Sequence, residues 1–382
     1  MPAVIRSRRV LDPAGAEAVT AAAVRAADEG GHRVVVAVVD AAGDLLQLRR
    51  TDGAQTASVE VGIDKARTAA IFVRPSRELE EQVSSGRLGA LALHGAAALT
   101  GGIPLTVDGE VVGAVGTSGE TPDEDESVSL AGAAADFSTV EVPALTYEGA
   151  RLAAEAVRQA ATDRGVAPVA VVVDAAGEPV YLWRPDAAQV ASVAVATDKA
   201  RTAAIYRRPS KDFEDQASNG RPSAPHLARA VPLQGGVPIL HEGHVVGAVG
   251  VSGASSADED QELAMAGAAA AHAAAAAPAP RATLFPAEAV RERFTTGGLL
   301  ESARGYALDA GRRTGPGGVE LHERATDVRH VVAGTATVVT GGEGGVAHRI
   351  GPGDVLVIPA GVPHEFVEAA DPFLYLVVKV ES

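Results

Sequence analysis

The sequence contains no cysteine, which excludes disulfides, thiolate metal ligands and thiol catalysis. It also lacks any apolar run near the roughly 20 residues needed to span a bilayer. The basic start, Met1 to Val10, has no apolar segment behind it, so no secretory signal is expected. A cytoplasmic protein with no membrane partner is the natural expectation. Basic clusters are missing too. Acidic residues outnumber basic ones 49 to 33, for a formal net charge of −16. The arginine pairs Arg8–Arg9 and Arg207–Arg208 stand alone. Nucleic-acid binding needs a stripe of Lys and Arg, so no nucleic-acid partner is expected, and the acidic surplus favours solubility.

What the chain does have is an internal repeat. Val38-Val-Asp40-Ala-Ala-Gly43 returns as Val172-Val-Asp174-Ala-Ala-Gly177, and Asp64 to Ile71 returns unchanged as Asp198 to Ile205. Gly101-Gly-Ile-Pro-Leu105 returns as Gly235-Gly-Val-Pro-Ile239, and Val111 to Gly116 as Val245 to Gly250. The offsets 174−40, 198−64, 235−101 and 245−111 are all 134. Four blocks in one register define a duplicated domain.

Each copy spells the same element order. Asp12 and Thr146 are expected to cap a first helix, with Pro13 at its first position. A β-branched run, Val34–Val39, turns at Ala41-Ala-Gly43-Asp and returns over Leu45–Arg49. A helix over about 56–72 ends before Pro75, and Ser76 and Glu78 suit the cap and first turn of a shorter one. Two strands, 103–107 and 110–116, flank an Asp108-Gly109 hairpin turn, and a last helix covers about 123–136. This predicts an α+β fold with two repeated α/β domains, each an antiparallel sheet flanked by helices. Repeat 1 is placed at 1–140, repeat 2 at 141–274, an Ala/Pro-rich linker at 275–289 and an all-β domain at 290–382. The two repeats are expected to pack together as a pseudo-dimer, being joined by only a short segment.

The VVDAAG turn, the DKARTAA helix, the RPS segment, the GG(I/V)P(L/I) turn and the VVGAVG hairpin together resemble the GlcG/HbpS family, also found as the C-terminal part of PduO-type proteins. The resemblance covers about 10–137 and 144–272. It implies haem binding, in places haem degradation, and assembly into dimers and larger homo-oligomers. Haem iron usually takes a His, Cys, Met or Tyr ligand. His94 and His226 lie in the loop before the GG-x-P turn of their copies and are the candidate ligands, with a solvated loop histidine as the alternative for each. Lys65 and Arg67, and their repeats Lys199 and Arg201, could hold an anionic group such as a propionate. A structural ion pair is the alternative reading for them. Asp40 and Asp174 sit where turn chemistry explains them.

The C-terminal domain carries a second signal. Gly353-x5-Pro359-x-Gly361-x2-His364 matches the second motif of the cupin family at every fixed position. Glu320-x-His322-x4-Asp327-x6-Gly334 matches the first motif with Glu in place of a His and Asp in place of a Glu. The resemblance covers about 295–380 and implies a β-barrel with a metal site. Residues two apart on a strand share a face, so Glu320 and His322 are expected to face inward and meet Asp327 and His364. His330, three residues past Asp327, is expected to face away. Two imidazoles with one or two carboxylates suit a divalent Fe, Mn, Ni or Zn ion, able to act as a Lewis acid or to bind dioxygen.

These readings point to a small-molecule-binding protein, with haem as the candidate ligand of the repeats and a metallo-cupin that performs or assists the chemistry. No catalytic residue is assigned, and any activity is expected to be a metal- or haem-dependent oxidoreduction. Two other readings follow from the same residues. One is a non-catalytic ligand-binding or sensor protein; the other is a cupin dioxygenase or isomerase carried on a tandem scaffold.

Overall fold

The computed structural model describes residues 3–276, 283–303, 305–342 and 344–381. It separates into two units, Met1–Ala279 and Pro280–Ser382. Among the described residues no helix is long and apolar enough to cross a membrane.

The first repeat runs β1 (Ile5–Leu11), α1 (Pro13–Gly30), β2 (Val35–Asp40), β3 (Leu45–Arg50), α2 (Ser58–Phe72), α3 (Arg77–Ser84), β4 (Gly102–Val107), β5 (Glu110–Ser118) and α4 (Pro122–Ala133). The second repeats it as β6 (Thr139–Leu145), α5 (Tyr147–Arg164), β7 (Val169–Asp174), β8 (Pro179–Trp183), α6 (Ser192–Tyr206), α7 (Lys211–Ser218), β9 (Gly236–His241), β10 (His244–Ser252) and α8 (Ala257–Ala276). Their antiparallel sheets have the orders β3-β2-β5-β4 and β8-β7-β10-β9. The expected caps form: Asp12 accepts from Gly15 N at 2.7 Å and Thr146 from Gly149 N at 3.1 Å. Ser76 behaves differently from its expected role. Its backbone is already helical and its hydroxyl makes no cap bond. Instead it donates to Leu99 O and accepts from Gly102 N, fastening the GG-x-P turn.

Each sheet is covered on both faces, which is why β2 reads as an unbroken apolar run rather than an alternation. Val36 and Val38 pack with Ala16, Val19 and Ala23 of α1 and Val128 of α4. Val39 turns to the opposite face, onto Ala66, Ala69 and Ala70 of α2. Aromatic residues are only 3% of the chain, and the packing shows how it manages without them: helices lie directly on sheet backbone. A Cβ built on Gly116 would meet Gly62 O at 2.4 Å, and one on Gly250 would meet Ala196 O at 2.0 Å. Only glycine allows that approach.

The two repeats pair through β1 and β6, neither of which the sequence pattern revealed. These equivalent strands run antiparallel in a two-stranded sheet, with Arg8 opposite Val142. Those two residues are themselves one repeat apart (142−8 = 134), so a pseudo-twofold axis passes between them. Contacts at the strand ends obey it. Thr146 N donates to Val4 O at 3.0 Å, while Ser138, the repeat of Val4, donates to the cap residue Asp12 at 2.7 Å. Val4 and Ile5 of the first repeat also pack on the core of the second. The tandem is a pseudo-dimer, as expected.

The second unit comprises α9 (Ala287–Thr296), β11 (Gly298–Ala303), β12 (Tyr306–Arg313), β13 (Ala325–Ala333), β14 (Ala336–Thr340), β15 (Val346–Ile350), β16 (Val355–Ile358), β17 (His364–Ala369) and β18 (Phe373–Glu381). The strands form a five-stranded sheet, β11-β12-β18-β13-β16, and a three-stranded sheet, β15-β14-β17. Two expectations change here. Helix α8 continues through the alanine run to Ala276, past the expected boundary at 274, because alanine is the strongest helix former. Helix α9 occupies part of the expected linker and all-β region; Ala, Glu and Arg favour it, and Phe294 anchors it by burial. Of the rest of the expected linker, 277–282 lie outside the described residues and 283–286 form no helix or strand.

Candidate functional site

In the repeats, the DKARTAA helix places its paired cations differently. Lys65 Nζ donates to Thr117 O at 3.0 Å and to Asp125 at 2.7 Å. Lys199 Nζ donates to Val251 O at 2.9 Å and to Asp260 at 2.8 Å. Both ion pairs are buried, tying α2 to β5 and α4, and α6 to β10 and α8. The carboxylates are 135 apart (260−125), so the second copy carries one extra residue between the strand and its last helix. The lysines thus adopt the structural ion pair that their sequence also allowed, while the expected ligand-holding role has no opening at either amine. Arg67 and Arg201 stay nearer the surface, paired with Asp64 and Asp198. Arg201 borders a cavity of about 290 Å³ lined also by Glu178, Asp198 and Arg229. Arg229 has no counterpart in the first repeat, where Gly95 stands, and it reaches across to Asp44 at 3.0 Å. His94 and His226 are both exposed. Asp40 and Asp174 each accept two backbone hydrogen bonds within their turns, as expected.

The C-terminal unit gathers its candidates. A single bridge, with Glu320 N donating to His364 O at 2.8 Å and His364 N to Glu320 O at 2.9 Å, joins the irregular first-motif segment to the start of β17. Glu320 and His322 are therefore not on a regular strand. His322 O accepts from Gly361 N at 2.9 Å, which places that residue beside the second-motif turn. Asp327 comes from β13, the strand between β18 and β16. The four side chains converge. His364 Nε2 lies 3.4 Å from Glu320 and 3.9 Å from Asp327, and His322 Nε2 lies 3.6 Å from Asp327.

A fifth side chain sits among them. Arg329, two residues after Asp327 on β13, turns to the same face and is 2% exposed. Its Nη2 donates to Asp327 Oδ2 at 2.7 Å and to Glu320 Oε2 at 3.1 Å, and lies 2.8 Å from His364 Nε2. Arg313, at the end of β12, pairs with the other oxygen of Glu320. Both guanidiniums lie over Phe366, at 4.0 Å for Arg313 and 5.0 Å for Arg329, a favourable cation–π arrangement. His364, Arg329 and Arg313 hold the Glu320 carboxyl well below the usual carboxylate range, against the opposing effect of burial. Sequence reasoning missed Arg329, although the period-two rule that excluded His330 would have found it.

The donor set can be tested against the divalent ion that the motifs imply. In spacing it fits: separations of 3.4–3.9 Å suit donors about 2.0–2.3 Å from one ion. In occupancy and charge it does not. Arg329 Nη2 already touches three of the four donors, and two carboxylates are balanced by two guanidiniums. A dication added to these residues, with neutral imidazoles, would leave two uncompensated positive charges in a largely buried cluster, which is costly. Among the described residues, four buried side-chain atoms have no hydrogen-bond partner: Arg313 Nε, His322 Nε2, Asp327 Oδ1 and Arg329 Nη1.

Comparison with known proteins agrees with this architecture. The family model for the haem degrading protein HbpS-like family matches residues 11–134 and again 145–269. The chain belongs to the HbpS-like family. A cupin domain model matches residues 307–379 of the same chain, so two HbpS-like domains precede a cupin. The protein GlcG of Escherichia coli (strain K12) is 36% identical over 114 residues, covering 30% of this chain and 85% of GlcG. Among solved structures, HbpS of Streptomyces reticuli is 34% identical, covering 33% of this chain and 86% of HbpS, with a TM-score of 0.32. A PduOC–haem complex is 26% identical, covering 33% of this chain and 94% of PduOC, with a TM-score of 0.31.

Proposed function

We propose that this chain is a cytoplasmic small-molecule-binding protein in which an HbpS-like pseudo-dimer takes up haem or a related planar ligand and the polar cluster of the fused cupin takes a small polar molecule. The observation that carries the reading is the cluster of half-buried Glu320 and His322 with buried Asp327, Arg329 and His364, in which buried polar atoms are left without a protein partner. Buried polar groups are rarely left so without a ligand or water to satisfy them. Two of the four are guanidinium donors and one is a carboxylate acceptor. A compound carrying a hydroxyl beside a carbonyl or carboxyl oxygen has the complementary donor and acceptors.

For the repeats, support comes from the family's description and from the loop that carries His94. Leu88 and Leu91 of that loop are exposed, and Ile71 lies beside Gly95, giving an apolar flank for a flat ligand. Arg67 and Arg201, nearer the surface than the lysines, are the cations available to an anionic substituent. The pseudo-dimer is also the unit expected to build larger homo-oligomers. Titrating haem into the full chain and recording the visible spectrum tests the reading: a saturable Soret shift that weakens in the His94→Ala, His226→Ala double variant is expected. A spectrum unchanged from free haem would remove the haem half of the proposal.

A second reading of the cupin cluster, a bound Fe, Mn, Ni or Zn ion that performs or assists oxidative or Lewis-acid chemistry, is favoured by the donor spacing. It requires Arg329 to withdraw.

A further inference from the structure

We propose that Arg329 is the resident cation of this cupin, and that the domain works without a metal ion. The inference goes beyond the reading of the cluster as a ligand site, and it stands whether or not haem binds the repeats. Three observations carry it. The Arg329 guanidinium contacts Asp327, Glu320 and His364 through one nitrogen, at 2.7, 3.1 and 2.8 Å; these are three of the four donors an ion would need. The charges cancel inside the protein, with Asp327 and Glu320 set against Arg329 and Arg313. And the arginine is held where it is. It is 2% exposed, bonded a second time to Asp327 through Nε at 3.2 Å, and packed over Phe366 and Tyr375 at 5.0 and 5.5 Å. Withdrawing it would strand Asp327, which is 1% exposed, as an unpaired buried carboxylate.

The same residues explain the departures from the cupin motif. Glu in the first position supplies a second carboxylate, which balances the second guanidinium. Asp in place of the longer Glu leaves room for the arginine side chain two residues along the same strand. A fixed guanidinium offers directed hydrogen bonds rather than open coordination positions. Arg329 Nη1, buried and without a protein partner, is then the group left to meet an oxygen of the ligand.

The test is metal binding by the full chain, read by elemental analysis after chelation, re-exposure to Zn²⁺, Mn²⁺ or Ni²⁺, and dialysis. The wild type is expected to retain no stoichiometric metal. Arg329→Ala is expected to open the four-donor site and take up one equivalent, and adding His364→Ala is expected to abolish that gain. Arg329→Met, which keeps apolar volume against Phe366, serves as the second variant should the alanine variant not fold. One equivalent of metal in the wild type overturns the proposal. So does a folded Arg329→Ala or Arg329→Met variant that binds metal no better than wild type. If neither variant folds, the wild-type metal content decides alone.

Discussion

Replacing Lys65 by Met tests the role assigned to the buried lysines most sharply. The Lys65 and Asp125 side chains are 6% and 3% exposed, and the amine also satisfies Thr117 O. Lys65→Met would leave a buried carboxylate with only the Glu120 N–H at 3.1 Å as partner, and a buried carbonyl unpaired. Breaking a buried pair from one side costs about 3–5 kcal/mol. At about 2–4 °C per kcal/mol for a unit of this size, calorimetry of the full chain should show the transition of the repeats lowered by about 6–20 °C. Replacing both partners, as Lys65→Met with Asp125→Leu, should recover most of the loss, because exchanging a buried pair for apolar residues is often near neutral. A Lys65→Met protein that melts like wild type would refute the structural role. Loss of haem binding with stability unchanged would return Lys65 to the ligand-holding role.

Two further outcomes follow from the packing and the electrostatics. Gly250→Ala would press a methyl group to within 2.0 Å of Ala196 O; helix α6 must shift, and denaturant titration should show a loss of about 3 kcal/mol. Glu320 is held below its ordinary value of 4.5, so folding favours its ionised form. The stability this gives the C-terminal unit is complete above that pH and falls away as the solution is acidified below it. Melting scans across pH should show this acid loss in wild type and a flatter acid limb in Glu320→Gln; identical pH profiles would contradict it.

Much of this architecture is legible in the sequence, for reasons that can be named. The repeat, the helix caps Asp12 and Thr146, the Asp108-Gly109 hairpin and the GG-x-P turns are local signals, and each lies where its chemistry requires. The pseudo-twofold strands β1 and β6 are not local. Ile5–Leu11 and Thr139–Leu145 are half-exposed stretches that pair with each other in a two-stranded sheet, so neither pattern alone announces a strand. The convergence of Glu320, His322, Asp327 and His364 could be read from motif spacing. The motif fixes donors and says nothing of position 329, so the cation at their centre is legible only by strand alternation, two residues past Asp327. Lys65 and Arg67 show the same limit from the other side. Both are cations on one helix, and only the arrival of Asp125 from a helix 60 residues away decides which is buried.

The most direct test of the account is ligand binding at the cupin's polar cluster, measured by thermal unfolding of the full chain against small compounds that pair a hydroxyl with a carbonyl or carboxyl oxygen. A ligand present at about 100 times its dissociation constant adds about 2.7 kcal/mol to the folded state. At least one such compound should raise the melting temperature of the C-terminal unit in wild type and leave Arg329→Leu unmoved. If no compound of this class shifts the transition, or if wild type and Arg329→Leu shift alike, the cluster is not the ligand site described.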